Sequence, residues 1–296
     1  MVQVESGARE LLTTDDYTWT VKQEDLVRYA AAALDFNKIH YDAGAARGSG
    51  FDAPIAHGML NLGVVMTRLA DAVGVADIRS SHTRFSAPAY VGAELKLSFD
   101  VADPAGLIAT IINDQGQTIL FTRIELGAPS PICRCDALPQ GELVADRWFV
   151  VEQGPATRFA ATLDARSASF HRKDAAKAEG FEAIPVLPTF GFVLPGWGFF
   201  PELKGNEGTT APDAVRDCQD WAETRQAVVH VGQSFQYSSL LLVGALVRSR
   251  STVVNRFSKQ RGSRVLRFTD VCSVLTNFKG DHVLTSAMTL LHIEGK

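Results

Sequence analysis

VKQEDLVRYAA (Val21–Ala31) and VEQGPATRFAA (Val151–Ala161) are two versions of one segment, separated by a constant offset of 130 positions (151 against 21). The same offset pairs GFDA at 50–53 with GFEA at 180–183 without a gap. A register shared over this length indicates duplication, and the period is far too long for a solenoid repeat. The chain of 296 residues therefore predicts two copies of one domain.

A proline-rich segment separates the two copies. GAPSPICRCDALPQG, residues 127–141, holds three prolines and shows neither a helical nor a strand period. Such a composition is typical of a linker between domains. We expect a first domain over residues 1–128 and a second domain over residues 142–296.

The order of predicted elements indicates the fold class. Each copy begins with a short amphipathic helix, marked in the first copy by apolar residues at helical spacing: Leu26, Tyr29, Ala30, Ala33 and Leu34. A longer helix is expected from Ala56 to Val73, before strands at Glu94–Val101, Leu107–Ile112 and Thr118–Leu126. The second copy ends on predicted strands at Ser239–Val254, Arg264–Leu275 and His282–Ile293. This order predicts an α+β fold in which an antiparallel sheet wraps around a helix.

The second copy departs from the first where the long helix should lie. TFGFVLPGWG, residues 189–198, contains Pro195 and three glycines, which would end a helix within about two turns. The polar stretch from Lys204 to Arg225 has the character of an inserted loop. We expect a reduced central helix in the second copy and an interior that is partly unfilled.

Composition excludes several classes of protein. The 29 basic and 33 acidic residues give a net charge of −4, which does not suit a general nucleic-acid or membrane-surface binder. The N-terminal residues lack the apolar core of a secretory signal, and the apolar stretches are shorter than the roughly 18 residues of a membrane span. The four cysteines form neither a disulfide framework nor a zinc motif. We therefore expect a cytoplasmic protein with reduced thiols.

Two polar motifs flank the helices of the first copy. DFNKIH, residues 35–40, follows the short helix, and PIAHGM, residues 54–59, leads into the long one. The carboxylate of Asp35 and the imidazole of His40, on one short loop, can hold a water between them and exchange protons with a substrate. Backbone N–H groups near Gly58, at the positive end of a helix dipole, suit a developing oxyanion.

The second copy is an internal control for these motifs. At the offset of 130 every polar group of the candidate site is altered: Asp35 becomes Ala165, Asn37 becomes Ser167, His40 becomes Phe170, His57 becomes Leu187 and Gly58 becomes Pro188. Neighbouring scaffold residues such as Gly50 and Phe51 persist. Residues that only filled space would be expected to remain similar at the same spacing. The comparison predicts one working site per chain.

Three stretches together resemble a known family. DFNKIH (35–40), GFDAPIAHGM (50–59) and RFSAPAYVGAEL (84–95) closely resemble the MaoC-like (R)-specific enoyl-CoA hydratases, or hydratase 2 family, which have the hot-dog fold. The resemblance is specific from about Val21 to Leu126. The second half resembles the degenerate repeat of two-domain members, in which a helix-poor repeat makes room for a bulky acyl chain. The resemblance implies a double hot-dog fold.

The resemblance also implies an activity. Asp35 and His40 would be the catalytic pair of a hydro-lyase that adds water in a syn manner to a trans-2-enoyl-CoA and gives an (R)-3-hydroxyacyl-CoA. Asn37 would orient the site, and the Gly58 amide would form the oxyanion hole. For His57 we favour a hydrogen bond to the Asp35 loop over proton transfer. No cofactor is expected beyond the coenzyme A of the substrate. No metal is expected either, because the spacing of these residues matches no metal motif.

Three departures from the family pattern bear on substrate range. Leu34 stands where glycine is usual before the motif aspartate, so the backbone of the loop is expected to shift. Met66 stands where some members have serine. The degenerate copy comes second here, whereas the better-known long relatives have it first.

Two rival functions remain open from the sequence. One is a 3-hydroxyacyl-[acyl-carrier-protein] dehydratase of fatty-acid or polyketide synthesis, and the other is a non-catalytic acyl-binding partner subunit. The basic segment Asn255–Arg264 is interpreted as a solvated hairpin tip in preference to a coenzyme A phosphate contact, and Arg47 and Arg84 are comparable candidates for that contact. His82 and His230 have no recognisable partner. We expect an acyl-CoA or acyl-carrier thioester as substrate, neither nucleic acid nor membrane as partner, and favour a homodimer.

Overall fold

The computed structural model describes residues 17–102, 106–127, 139–196, 227–262 and 264–293. The first copy consists of β1 (Tyr17–Thr20), α1 (Gln23–Ala33), α2 (Ala43–Gly48), α3 (Gly58–Val73), β2 (Ile78–Phe85), β3 (Glu94–Ala102), β4 (Gly106–Asn113) and β5 (Thr118–Leu126). The second consists of β6 (Glu142–Val150), α4 (Gln153–Thr162), α5 (Lys173–Ala178), α6 (Phe190–Gly196), β7 (Ala227–Tyr237), β8 (Leu246–Arg261), β9 (Arg264–Asn277) and β10 (His282–Ile293). Short 3₁₀ turns lie at Lys38–His40, Val75–Asp77 and Ala168–Phe170.

All ten strands form one antiparallel sheet. Their order is β1-β3-β4-β5-β2-β7-β10-β9-β8-β6, so the five strands of the second copy repeat the order of the first in reverse. The copies join where β2 pairs with β7. His82 lies opposite Ser234 at the centre of this pair, and its Nδ1 is 2.6 Å from the Ser234 Oγ. A pseudo-two-fold axis therefore passes through this pair, and His82 has a partner that the sequence did not reveal.

The long helix α3 is the core of the molecule. Four side chains of its apolar stripe are completely buried: Leu62, Val65, Met66 and Leu69. Burial of each such side chain contributes roughly 1.5–3 kcal/mol to the stability of the fold. A Cβ at Gly63 would lie 2.8 Å from the Leu163 Cδ2, so glycine lets α3 approach the second copy closely. The sheet and this buried helix confirm the predicted α+β arrangement.

The duplication is visible in the elements. At the offset of 130, α1 corresponds to α4, the turn Lys38–His40 to Ala168–Phe170, and α2 to α5. The offset becomes 152 for β2 and β7 (237 against 85) and for the start of β3 and β8 (246 against 94), and it becomes 164 for β5 and β10 (282 against 118). Gly92 and Gly244, related by the offset of 152, both have a positive φ, 93° and 90°.

Several boundaries differ from the sequence-based expectations. The predicted strand Ser239–Val254 is wrong in its first part, because Leu242 forms an isolated bridge with Pro185 and the chain turns at Gly244 before β8 begins. The helix expected from Ala56 begins at Gly58. Four strands were not predicted, β1, β2, β6 and β7.

The basic segment is longer than a hairpin tip. Residues 255–261 continue β8, Gly262 lies in a turn, and β9 begins at Arg264. In the second copy α6 has seven residues, ending at Gly196. The expected inserted loop, Lys204–Arg225, and most of the expected linker lie outside the described residues.

Candidate active site

The loop that carries Asp35 and His40 begins with a left-handed residue at the end of α1. Leu34 has φ 59° and ψ 30°, and its N–H donates to the Ala30 carbonyl. The Asp35 N–H also donates to the Ala30 carbonyl, at 3.1 Å. Leucine here adopts the left-handed conformation that favours glycine, at a cost of about 1–2 kcal/mol. The backbone turn is thus kept despite the missing glycine.

Asn37 fixes the loop that carries the two candidate catalytic groups. Its Oδ1 accepts the Ile39 N–H at 3.3 Å and so begins the 3₁₀ turn that ends at His40. Its Nδ2 donates to the Val228 carbonyl of β7 at 3.2 Å, and its N–H donates to the Asp35 Oδ1 at 3.3 Å. The Asn37 side chain therefore ties the loop to the second copy, and its backbone N–H contacts the carboxylate; its role as an orienting residue stays a prediction.

His40 presents one free ring nitrogen. Its Nδ1 lies 2.7 Å from the Ile55 carbonyl, which can only accept, so Nδ1 carries the proton and the Nε2 lone pair is left for chemistry. The ring is 6% exposed. Burial lowers the pKa of His40 below its usual value, against the opposing effect of the Asp35 charge. His40 is thus a neutral imidazole with a basic Nε2.

His57 stacks on His40 and holds the Asp35 backbone. The two ring centroids are 3.6 Å apart, and the ring planes differ by 25°. The His57 Nε2 lies 3.1 Å from the Asp35 carbonyl, which is the hydrogen bond that the sequence predicted. Burial, followed by the neighbouring His40, lowers the pKa of His57 to about 3. His57 is therefore a neutral support for the loop.

Asp35 remains ionised beside these rings. Burial raises the pKa of Asp35, but His57, His40 and the Asn37 N–H lower it, and the net result lies below the usual value. The carboxylate is a hydrogen-bond acceptor at neutral pH. An ionised carboxylate and a neutral imidazole with a free Nε2 are the pair that acid–base chemistry on water requires.

The amino end of α3 supplies free backbone donors. The N–H groups of Leu60 and Asn61 both donate to the His57 carbonyl, whereas those of Gly58 and Met59 have no acceptor among the described residues. A Cβ at Gly58 would lie 3.1 Å from the Phe85 ring. Glycine therefore keeps open the narrow approach to the positive end of the helix dipole.

All five residues proposed from the sequence gather in one place. Ligand-type atoms of Asp35, His40 and His57 lie within 4.8 Å of one another. The His40 Nδ1 is engaged by the Ile55 carbonyl and the His57 Nε2 by the Asp35 carbonyl, which leaves the His40 Nε2 and the His57 Nδ1 without a partner among the described residues. The absence of a metal therefore stays a prediction.

The second copy contributes a residue that the sequence did not identify. His230 of β7 packs against Phe85, with the two ring centroids 5.1 Å apart. Burial lowers the pKa of His230 to about 4, although the negative charge of Asp35 raises it. Aligning β2 with β7 at the offset of 152 would have shown that His230 is equivalent to Ile78, but neither strand was predicted. Arg47 and Arg84 are exposed, and no described contact joins them to the site.

Two family models match the chain, one over each copy. The MaoC-like domain family matches residues 7–119, and the FAS1-like dehydratase domain region matches residues 141–286. The chain therefore has a MaoC-like domain followed by a FAS1-like dehydratase region. This agrees with the resemblance seen in the sequence.

Solved structures show the same fold. A MaoC domain dehydratase from Chloroflexus aurantiacus is 12% identical, with a TM-score of 0.63 over 93% of this chain and 92% of its own. A conserved hypothetical protein from Mycobacterium tuberculosis with a double hot-dog fold is 13% identical, with a TM-score of 0.60 over 93% of this chain and 94% of its own. The predicted double hot-dog fold is confirmed.

One curated relative is similar over part of the chain. The mitochondrial 3-hydroxyacyl-[acyl-carrier-protein] dehydratase of Arabidopsis thaliana is 31% identical over 78 residues, which is 26% of this chain. The match covers 47% of that relative, about half its length. None of the helices in the described part of the chain combines the length and apolar character needed to cross a membrane.

Proposed function

We propose that the chain catalyses the reversible syn hydration of a trans-2-enoyl-CoA to an (R)-3-hydroxyacyl-CoA. One observation carries the proposal. The ionised Asp35 and the neutral His40 converge beside the free N–H groups that begin α3. Proton acceptor, water-orienting group and oxyanion donor are thus present together.

The proposed reaction uses one water. Asp35 accepts a hydrogen bond from the water, and the His40 Nε2 removes its other proton as the oxygen bonds to C3. The C2=C3 electron pair moves toward the thioester oxygen, where the Gly58 N–H stabilises the enolate charge. The proton on His40 then bonds to C2 from the same side, which makes the addition syn. The carboxylate of Asp35 stabilises the transient imidazolium.

A second candidate differs only in the thioester carrier. The curated relative is named as an acyl-carrier-protein dehydratase, and the same groups would remove water from a carrier-bound 3-hydroxyacyl chain. The basic strand ends around Arg256, Lys259 and Arg261 are exposed, as an acidic carrier protein would require. A non-catalytic acyl-binding subunit fits less well, because it would not need an intact acid–base pair. A homodimer remains our preferred assembly.

A substrate panel tests the proposal. Purified protein is incubated with trans-2-enoyl-CoA thioesters of increasing chain length, with matched enoyl thioesters of an acyl carrier protein in parallel, and loss of the enoyl absorbance is followed. We expect hydration of at least one CoA thioester, with an (R)-3-hydroxy product by chiral chromatography. Turnover confined to the protein-bound thioesters would favour the dehydratase. Retained absorbance in both series would contradict a hydro-lyase.

A further inference from the structure

His230 lies at the boundary between the catalytic loop and the interior of the second copy. Its ring is 5.1 Å from that of Phe85 and 5.6 Å from that of Phe192, a residue of α6. Two residues earlier in β7, the Val228 carbonyl accepts the Asn37 side chain of the loop. The amino end of β7 is therefore fixed against the candidate active site.

The Nε2 of His230 is a buried polar atom with no hydrogen-bond partner among the described residues, although the Gly232 backbone and the Gln233 side chain interact with the ring and raise its pKa. Buried nitrogens of this kind are normally paired, and each exception asks for an explanation. Burial holds the pKa of His230 at about 4, so the ring is neutral when the enzyme works at neutral pH. A neutral imidazole can share a hydrogen bond with a hydroxyl or, in its other tautomer, with a carbonyl oxygen.

The pseudo-two-fold axis supplies a comparison. The offset that relates Phe85 to Tyr237 relates Ile78 to His230 (230 against 78). Ile78 lines an apolar cleft in the second copy together with Leu187 and Tyr237. The imidazole of His230, from the second copy, therefore lies beside the loop that carries Asp35 and His40. Ile78, from the first copy, occupies the equivalent place beside the loop that lacks them.

The reacting atoms do not require this third imidazole. In the proposed reaction Asp35 accepts a hydrogen bond from the water and the His40 Nε2 removes its other proton, and the free N–H groups of α3 serve the thioester oxygen. His230 instead lies on the side of Phe192, toward the second copy, where the acyl chain beyond C3 would extend. Its Nε2 would be left unpaired against a bare alkyl chain.

We propose that His230 is a specificity-determining residue whose Nε2 hydrogen-bonds an oxygen on the acyl chain beyond C3. This rests on the proposed function, and it names the substrate class as hydroxylated or oxo-substituted acyl thioesters. A site built to pair with a substrate hydroxyl discriminates strongly against the analogue that lacks it, because the buried group of the protein then loses its partner.

Binding of unreactive ligands tests this proposal. Saturated octanoyl-pantetheine is compared by calorimetry with its 4-, 5-, 6- and 7-hydroxy and oxo derivatives, since the pantetheine thioester is common to both carriers. Wild-type protein should bind the best oxygenated ligand at least about tenfold more tightly than octanoyl-pantetheine. His230→Ile, which copies Ile78 at the equivalent position of the first copy, should lose this preference. His82→Ala, on the pseudo-two-fold axis and away from the acyl path, should retain it.

The outcomes separate this inference from the proposed function. A wild-type protein that binds no oxygenated ligand more tightly than the alkyl one would overturn the role of His230, as would a preference that survives in His230→Ile. Because the ligands are saturated, the preference is measured whether or not hydration occurs. Failure to hydrate any enoyl thioester would contradict the proposed function alone. Thermal melting of each variant establishes that it is folded.

Discussion

The two copies carry the same loop with different chemistry. After α1 the chain takes a left-handed turn at Leu34, and after α4 it does so at Asp164, with φ 59° and 52°. Asn37 and Ser167 then accept an N–H two residues later, and each begins a 3₁₀ turn. The backbone turn and its capping oxygen therefore belong to the scaffold. The carboxylate, the imidazoles and the free helix amides are separate additions found in the first copy.

In the second copy the position equivalent to Gly58 is Pro188, which has no N–H. The Tyr237 hydroxyl donates to the Pro188 carbonyl at 3.1 Å, where the first copy has the open Gly58. Asp71 accepts the N–H groups of Arg166 and Ser167, at distances from 3.0 to 3.2 Å. One end of α3 thus serves the candidate active site, and its other end supports the degenerate loop.

The largest effect is expected when the first loop is converted into the second at His40. His40→Phe copies Phe170, removes the basic Nε2 and keeps a flat ring. We expect kcat/KM for enoyl thioester hydration to fall roughly 10²- to 10⁴-fold, the range of general base catalysis. Steady-state kinetics measure it, with circular dichroism as the control for folding. A loss smaller than threefold would remove His40 from the mechanism.

A smaller loss is expected at the helix amides. In Gly58→Ala the new Cβ meets the Phe85 ring at 3.1 Å and narrows the approach to the N–H donors. We expect kcat to fall by about one to two orders of magnitude. This is no more than the loss on deleting an oxyanion donor, because the N–H groups are still present. The double variant Gly58→Ala with Phe85→Leu, which relieves the contact, should recover part of the rate. No recovery would indicate that the crowding is not with Phe85.

The buried imidazole of His57 should make the fold sensitive to acid. The unfolded chain protonates this residue below about pH 6.5, whereas the folded protein does not until its pKa of about 3. The unfolded state then binds more protons, so the free energy of unfolding falls as pH drops through this window, by about 1.4 kcal/mol per pH unit.

His57→Leu copies Leu187 and should reduce that slope by one proton. Urea denaturation between pH 7 and pH 4.5 gives the slope for each protein. The absolute stability of the variant will also change, because the Asp35 carbonyl loses its donor, so the comparison concerns the slope alone. An unchanged slope would mean that His57 is protonated in the folded protein.

The smallest effects are expected at the paired left-handed residues. Leu34→Gly should stabilise the protein by about 0.5–1 kcal/mol, because glycine adopts this conformation without strain but gains freedom in the unfolded chain. Asp164→Gly should destabilise it, because the Asp164 Oδ2 lies 2.8 Å from the Nη2 of Arg68, whose side chain is 9% exposed. Chemical denaturation compares the two variants. Equal signs would contradict the distinct roles of the two turns.

The sequence predicted the first copy better than the second. Helix α3 and strands β3 to β5 were placed within two residues, because their periodicity is regular and Gly74 and Gly116 mark turns. The strands at the junction, β2 and β7, were missed. In β2 the residues Ser81 and Thr83 are buried without being apolar. These residues are buried because β2 pairs with other strands, and the alternation of polar and apolar residues within β2 does not show that pairing.

Most of the candidate site could be predicted because its residues lie close together in the sequence. Asp35, Asn37 and His40 are close in sequence, and the altered second copy distinguished them from scaffold. His230 lies 195 positions beyond Asp35 (230 against 35), on a strand that was not predicted, so no local signal indicated it. Its place follows from the β2–β7 pairing and from the contact of Asn37 with Val228.

The most direct test of the account is the hydration rate of Asp35→Asn. The amide keeps the size of the carboxylate and can still accept the Asn37 N–H, but it cannot stabilise an imidazolium at His40 by charge. We predict a loss of roughly 10²- to 10⁴-fold in kcat, with unchanged binding of a saturated acyl thioester and an unchanged melting temperature. An Asp35→Asn protein that hydrates enoyl thioesters at the wild-type rate would contradict the assignment of the site.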